Sequence, residues 1–180
     1  MTDLLHSNIL GSGTPLIVLH GFLGMSDNWK TLGKQYATQG FEVHLVDQRN
    51  HGRSFWSDVF DYPTLAQDLL HYMDSKNLAK AVMLGHSMGG KTAMQFACTK
   101  PERVSKLLVA DIAPRPNPPQ HEYILEAQEA LPLAQQKTRT EADENHAHKL
   151  DNWGKRHFML KKINRKSPGE IGQRFKHGVL

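Results

Sequence analysis

Apolar positions gather in short runs along the chain: Pro15 to Leu19, Phe41 to Val46, Ala81 to Leu84 and, less purely, Leu107 to Ala110. Each run is of strand length and ends at Gly, His or Asp instead of continuing at helical spacing. Strict alternation with polar residues is missing, which predicts strands covered on both faces, as in a parallel sheet. Between the runs the apolar spacing widens to three and four. Trp29, Leu32, Tyr36 and Ala37 follow the start signal Ser26-Asp27-Asn28. Leu65, Leu69, Leu70 and Met73 follow Pro63, a good first-turn residue. Ala93, Met94, Phe96 and Ala97 precede Pro101. Strands and helices therefore alternate, which predicts βαβ units, right-handed crossovers and an α/β fold with a mostly parallel sheet.

The pattern changes after Asp111. Pro114, Pro116, Pro118 and Pro119 mark a linker or turn. Tyr123 to about Asp151 is rich in Ala, Leu, Gln and Glu, which predicts one or two helices broken near Pro132. The expected organisation is a core over residues 1–114 and a helical lid or cap over 115–180. Charge follows the same division. The formal net charge is +4, yet Lys155 to Leu180 holds eight Lys or Arg against one acid, Glu170. That basic end reads as a solvated tail. It lacks the aromatic interleaving of a single-strand binding surface, so no nucleic-acid partner is expected.

The junction after the third run carries the most chemistry. It reads Gly85-His86-Ser87-Met88-Gly89-Gly90, a G-x-S-x-G placed after a strand and before a helix. Glycines suit the tight turn, and the following helix turns its N-terminus toward the serine hydroxyl, favouring developing negative charge. Ser87 is the expected nucleophile. His20-Gly21-Phe22-Leu23-Gly24 follows the first strand, where a serine hydrolase of this layout places one oxyanion donor; the other comes from the residue after the nucleophile. This assigns the backbone N–H groups of Phe22 and Met88.

The remaining composition narrows the setting. Cys98 is the only cysteine, so no internal disulfide forms. No apolar run approaches the ~18 residues that span a bilayer, and no signal peptide is visible, so a cytoplasmic location is expected. His146 and His148, two apart, would diverge on a helix, and no His or Cys spacing suits zinc. No phosphate loop or dinucleotide fingerprint is present. Neither a metal nor an organic cofactor is expected. Oligomeric state is not readable from the chain.

Four motifs in order point to a family, the first being the His20 to Gly24 loop. Asp47-Gln48-Arg49-Asn50-His51-Gly52-Arg53-Ser54 after the second strand is similar to the D-x-R-x-x-G-x-S signature of the α/β-hydrolase superfamily. Gly85 to Lys91 and Asp111-Ile112-Ala113-Pro114 resemble a narrower branch of small bacterial carboxylesterases, acyl-CoA-type thioesterases and mitochondrial relatives. The resemblance spans roughly residues 10 to 160. It implies an α/β-hydrolase fold with a helical lid, and a serine enzyme that cleaves a small-molecule acyl ester or thioester through an acyl-enzyme at Ser87. Asp111 has two readings, a carboxylate that orients a triad histidine and a turn-capping residue before Pro114. The family's histidine follows two further strands near the C-terminus; on that comparison the last strands are missing here, and none of the eleven histidines takes its place. His51 is read as a structural hydrogen-bonder. The alternative is a truncated, non-catalytic hydrolase-like chain that acts as a binding module or has no activity.

Overall fold

The computed structural model describes residues 4–115, together with the backbone of 163–167 and 170–173. The chain folds as two compact units that divide between Pro114 and Arg115. In the first unit the strands are β1 (Ser7–Leu10), β2 (Thr14–Leu19), β3 (Phe41–Val46), β4 (Ala81–His86) and β5 (Val104–Ala110). The helices are α1 (Lys30–Ala37), α2 (Tyr62–Ser75) and α3 (Met88–Thr99). They build one five-stranded sheet in the order β1-β3-β2-β4-β5. β2 pairs in parallel with β3 and with β4, and β4 pairs in parallel with β5. The four runs read from the sequence are these four parallel strands.

β1 is an addition. It pairs antiparallel to β3, with Ser7 opposite Val46 and Leu10 opposite Val43. Its sequence, Ser-Asn-Ile-Leu, has too few apolar residues to register as a run, because an edge strand buries only part of its surface.

Apolar residues fill both faces of β2, β3 and β4, which is why these strands do not alternate; β5, also expected to be covered on both faces, instead exposes Leu107, Leu108 and Val109, because it lies at the edge of the sheet. On one face Ile17, Leu19, Val46 and Met83 pack with Leu69, Tyr72 and Met73 of α2 and Ala93 and Phe96 of α3. On the other Leu16, Val18, Val43 and Leu45 pack with Trp29, Tyr36 and Ala37. Leu32, expected on the inner face of α1, is 42% exposed. Gly33 takes the inward position, and a Cβ there would lie 3.1 Å from both Leu45 methyls. Helix starts also differ in detail. Ser26 to Trp29 forms a 3-10 turn before α1, and it is Asn28 Oδ1 that accepts the Met25 N–H at 2.9 Å. Asp61 caps α2, its carboxylate accepting the Thr64 N–H at 2.7 Å, with proline in the first turn as expected.

A polar chain runs from α2 toward the surface through buried His44 and Tyr72 to part-exposed Glu42 and Ser7. The ring nitrogens of His44 reach the Tyr72 hydroxyl at 2.7 Å and Glu42 at 2.8 Å, and Tyr72 donates to Ser7 at 2.8 Å. Burial pushes the Tyr72 phenol up to about 12.

In the second unit β6 (Ile163–Ser167) and β7 (Glu170–Gln173) form a separate two-stranded antiparallel sheet. The segment expected as a helical lid thus contains a β-hairpin. Only Pro168-Gly169, a turn dipeptide, signals it. The helices expected between Tyr123 and Asp151 lie outside the described residues. So do His121, His146, His148, His157 and His177.

Candidate active site

The strand order places the site. β2 leads through α1 to β3 on one side, while β4 lies on the other. The carboxyl ends of β2 and β4 therefore flank a point where connections diverge, which is where open α/β sheets form a binding crevice. The loop after β2 holds His20 to Met25. The residue after β4 is Ser87.

Ser87 has φ 49° and ψ −115°, in the left-handed half of the map that serine rarely adopts. Such a conformation costs on the order of 1–3 kcal/mol and persists only where the surroundings impose it. Two backbone bonds do so here. Ser87 N–H donates to Ala110 of β5 at 2.9 Å, and Lys91 N–H donates to the Ser87 carbonyl at 3.1 Å. Glycine makes the turn possible. A Cβ on Gly89 would lie 2.4 Å from the Leu19 carbonyl oxygen, so α3 starts in direct contact with the end of β2. Among the described residues the Ser87 hydroxyl makes no hydrogen bond. Met88, the other expected oxyanion donor after Phe22, is the first residue of α3.

The β2 loop lies directly against the elbow. A Cβ on Gly21 would be 2.7 Å from His86 Nδ1 and 3.4 Å from Ser87 Cβ. Two histidines hold this loop. His20 Nδ1–H donates to the Gly21 carbonyl at 2.8 Å, and its Nε2 accepts the Gln48 N–H at 3.0 Å. His51 Nδ1–H donates to the Arg49 carbonyl at 2.9 Å, and its Nε2 accepts the Leu23 N–H at 3.2 Å. Each ring thus uses one nitrogen as donor and the other as acceptor, the pattern of a neutral imidazole. Neither lone pair remains to take a serine proton. His51 is a hydrogen-bonding brace, as read from the sequence. It also packs against Phe22 and Phe60, at centroid distances of 6.2 and 5.9 Å.

The D-x-R loop anchors the same region from below. Buried Asp47 accepts from the N–H groups of Ser26 at 2.5 Å and Arg53 at 3.0 Å. Arg49 clasps Asp68 of α2 through two bonds of 2.5 and 2.7 Å. At the rim, Arg53 and Lys30 both pair with Asp27. The Arg53 hydrogen bond, foremost, holds the Asp27 carboxyl down at about 2. A depressed carboxylate stabilises the fold fully above its ordinary value near 3.8, and that contribution is lost as pH falls toward 2. Urea titrations of wild type and Asp27→Asn should therefore differ by up to about 1 kcal/mol at pH 6, with the difference shrinking below the ordinary carboxylate value and disappearing only as pH falls through about 2.

Asp111 follows β5 with φ 58°, and its side chain is 84% exposed. One carboxylate oxygen lies 3.5 Å from His86 Nε2. Among the described residues no backbone N–H donates to the Asp111 carboxylate. His86 also meets the Trp29 ring edge-on at 6.2 Å. The other described histidines lie elsewhere: His6 on Asp47, His44 on Tyr72, and His71 on Gln67. Among the described residues no group of three His, Cys, Asp or Glu side chains is placed to hold a metal ion. None of the described helices is long and apolar enough to cross a membrane.

Gln48 and Thr92 form a further part of the site that no local pattern marks. Both are buried, and their side chains meet at 2.8 Å. Nothing in their spacing signals this, since they lie 44 residues apart.

Comparison with known proteins supports the fold. The Escherichia coli (strain K12) esterase YbfF is 34% identical over 151 residues, covering 83% of this chain and 59% of that protein. The Danio rerio sn-1-specific diacylglycerol lipase ABHD11 is 42% identical over 105 residues, covering 58% of this chain and 33% of the relative. This chain therefore spans between a third and three fifths of these curated relatives. A solved structure described as a marine microorganism esterase superposes with a TM-score of 0.93 at 39% identity, covering 97% of this chain and 69% of that one. The family model for the alpha/beta hydrolase fold matches residues 14–168, and the chain belongs to that family.

Proposed function

We propose that this chain carries the nucleophile and oxyanion donors of a serine hydrolase that cleaves carboxylic esters or thioesters. The observation that carries the reading is Ser87 itself, held at φ 49° between the end of β4 and the N-terminus of α3. Strain of this kind exposes a hydroxyl at the tip of a turn. The Ser87 oxygen attacks the acyl carbonyl while its proton passes to an imidazole. The N–H groups of Phe22 and Met88 donate to the oxygen that becomes negative, each worth roughly 3 kcal/mol when correctly aimed. The alcohol or thiol leaves with a proton, and water then releases the acid from the acyl-serine. Relatives named esterase and diacylglycerol lipase support ester substrates. Asp111 is the carboxylate that orients the imidazole, in the chain order serine then acid used by this fold. Among the described histidines, His20 and His51 have both ring nitrogens engaged and His86 Nε2 faces Asp111, so none of them is assigned as the proton acceptor.

A fluorophosphonate probe tests the reading. The folded chain should gain one adduct, located by peptide mass on Ser87. Adduct formation only at other residues, or none at all, would overturn it. One observation favours a second reading, in which the chain binds without turnover: no described histidine bonds the Ser87 hydroxyl. A folded chain that neither takes the probe nor releases product from an ester belongs to that reading.

A further inference from the structure

The side chain of Gln48 joins the two elements that carry the oxyanion donors. Its Nε2–H donates to the His20 carbonyl at 2.8 Å, two residues before Phe22. Its Oε1 accepts the Thr92 hydroxyl at 2.8 Å, four residues after Met88 on α3. The same hydroxyl lies 3.2 Å from the Met88 carbonyl. A third bond, from Gln48 N–H to His20 Nε2 at 3.0 Å, fixes the ring that in turn holds the Gly21 carbonyl. His20, Gln48 and Thr92 are each only 1% exposed, so water does not compete for these bonds. The pairing of β2 with β4 and the close contacts at Gly21 and Gly89 bring the two elements together, and the Gln48 side chain bonds to both of them.

We propose that Gln48 is a positioning residue that sets the separation of the Phe22 and Met88 N–H groups. The proposal rests on the reading in which those two groups hold the oxyanion. A primary amide suits the task because it donates and accepts at once. The loop carbonyl needs a donor and the α3 hydroxyl needs an acceptor. Gln48→Glu keeps the shape and removes the donor. Thr92→Val removes the hydroxyl at nearly constant volume, and Thr92→Ser restores it. The two side chains act as one unit, so their effects should not add.

The decisive experiment follows the backbone amide resonances of Phe22 and Met88 in the isotopically labelled 180-residue chain, which needs no turnover. Thr92→Val should move both signals, including Phe22 across the crevice, and Thr92→Ser should return both toward wild type. In a Gln48→Met background Thr92→Val should no longer move Phe22. Gln48→Met and Gln48→Glu each read the clamp from the loop side if Thr92→Val does not fold. Ester turnover, where measured, should fall on the order of tenfold in kcat with KM unchanged, less than the roughly 10²–10³ lost with a whole donor. A Phe22 signal that stays at its wild-type position while Met88 moves would overturn the proposal. Failure of the underlying reading is distinct, since it shows as a folded wild-type chain whose Ser87 takes no fluorophosphonate.

Discussion

Ser87→Ala should abolish ester turnover and covalent labelling while leaving the chain folded, and Ser87→Gly should do the same in a chain more stable than wild type. The two variants separate chemistry from fold. In serine hydrolases with a full triad, losing the nucleophile costs about 10⁶-fold in kcat, and the remainder comes from the oxyanion donors and binding. Strain explains the stability side. Ser87 sits at φ 49°, where a residue without a Cβ is relieved of the clash. Glycine there should raise stability by about 1 kcal/mol, the lower end of what such a conformation costs. A protein that stores strain at one serine, and gains stability when that serine is lost, trades stability for function at that position. Urea unfolding beside initial-rate assays checks both halves. Equal stability of Ser87→Gly and wild type would mean that the elbow is not strained.

The largest loss of stability is expected from Asp68→Ala. Arg49 and Asp68 have side chains only 8% and 9% exposed, joined by bonds of 2.5 Å and 2.7 Å. Arg49 also donates to the Val59 carbonyl at 2.8 Å and lies 5.3 Å from the Phe55 ring centroid. Removing the carboxylate leaves a buried guanidinium without its counter-charge, which costs about 3–5 kcal/mol. Replacing both partners with apolar residues leaves no orphaned charge. Arg49→Met with Asp68→Leu should therefore recover much of the loss, short of the part owed to the Val59 and Phe55 contacts. Denaturant midpoints of the two single variants and the double variant measure this. Additive losses in the double variant would contradict the account.

The same residues show which parts of the molecule the sequence makes legible. Parallel strands covered on both faces leave apolar runs, so β2, β3 and β4 could be read from the chain; β5 is legible by its apolar run although Leu107, Leu108 and Val109 are exposed. The elbow could be read because its chemistry is local: strand, serine and glycines are consecutive. β1 could not, since its partner β3 lies over thirty residues away and supplies the context that its own four residues lack. Leu32 misled because helical spacing marks a face, whereas the tight approach of Gly33 to Leu45 decides which way that face turns. The β6–β7 pair was hidden in a basic stretch where only Pro168-Gly169 indicates a reversal. Gln48 and Thr92 are the clearest case. Each is an ordinary polar residue in sequence, and only the fold brings them together beneath the loop that carries Phe22.

The central claim is that Ser87 becomes acylated. Acid quenching of the chain during reaction with p-nitrophenyl acetate, followed by peptide mass analysis, tests it most directly. An acetyl group on the peptide that contains Ser87, absent from Ser87→Ala, is the predicted result. Nitrophenol release from the folded chain with no acetyl on Ser87 would contradict it.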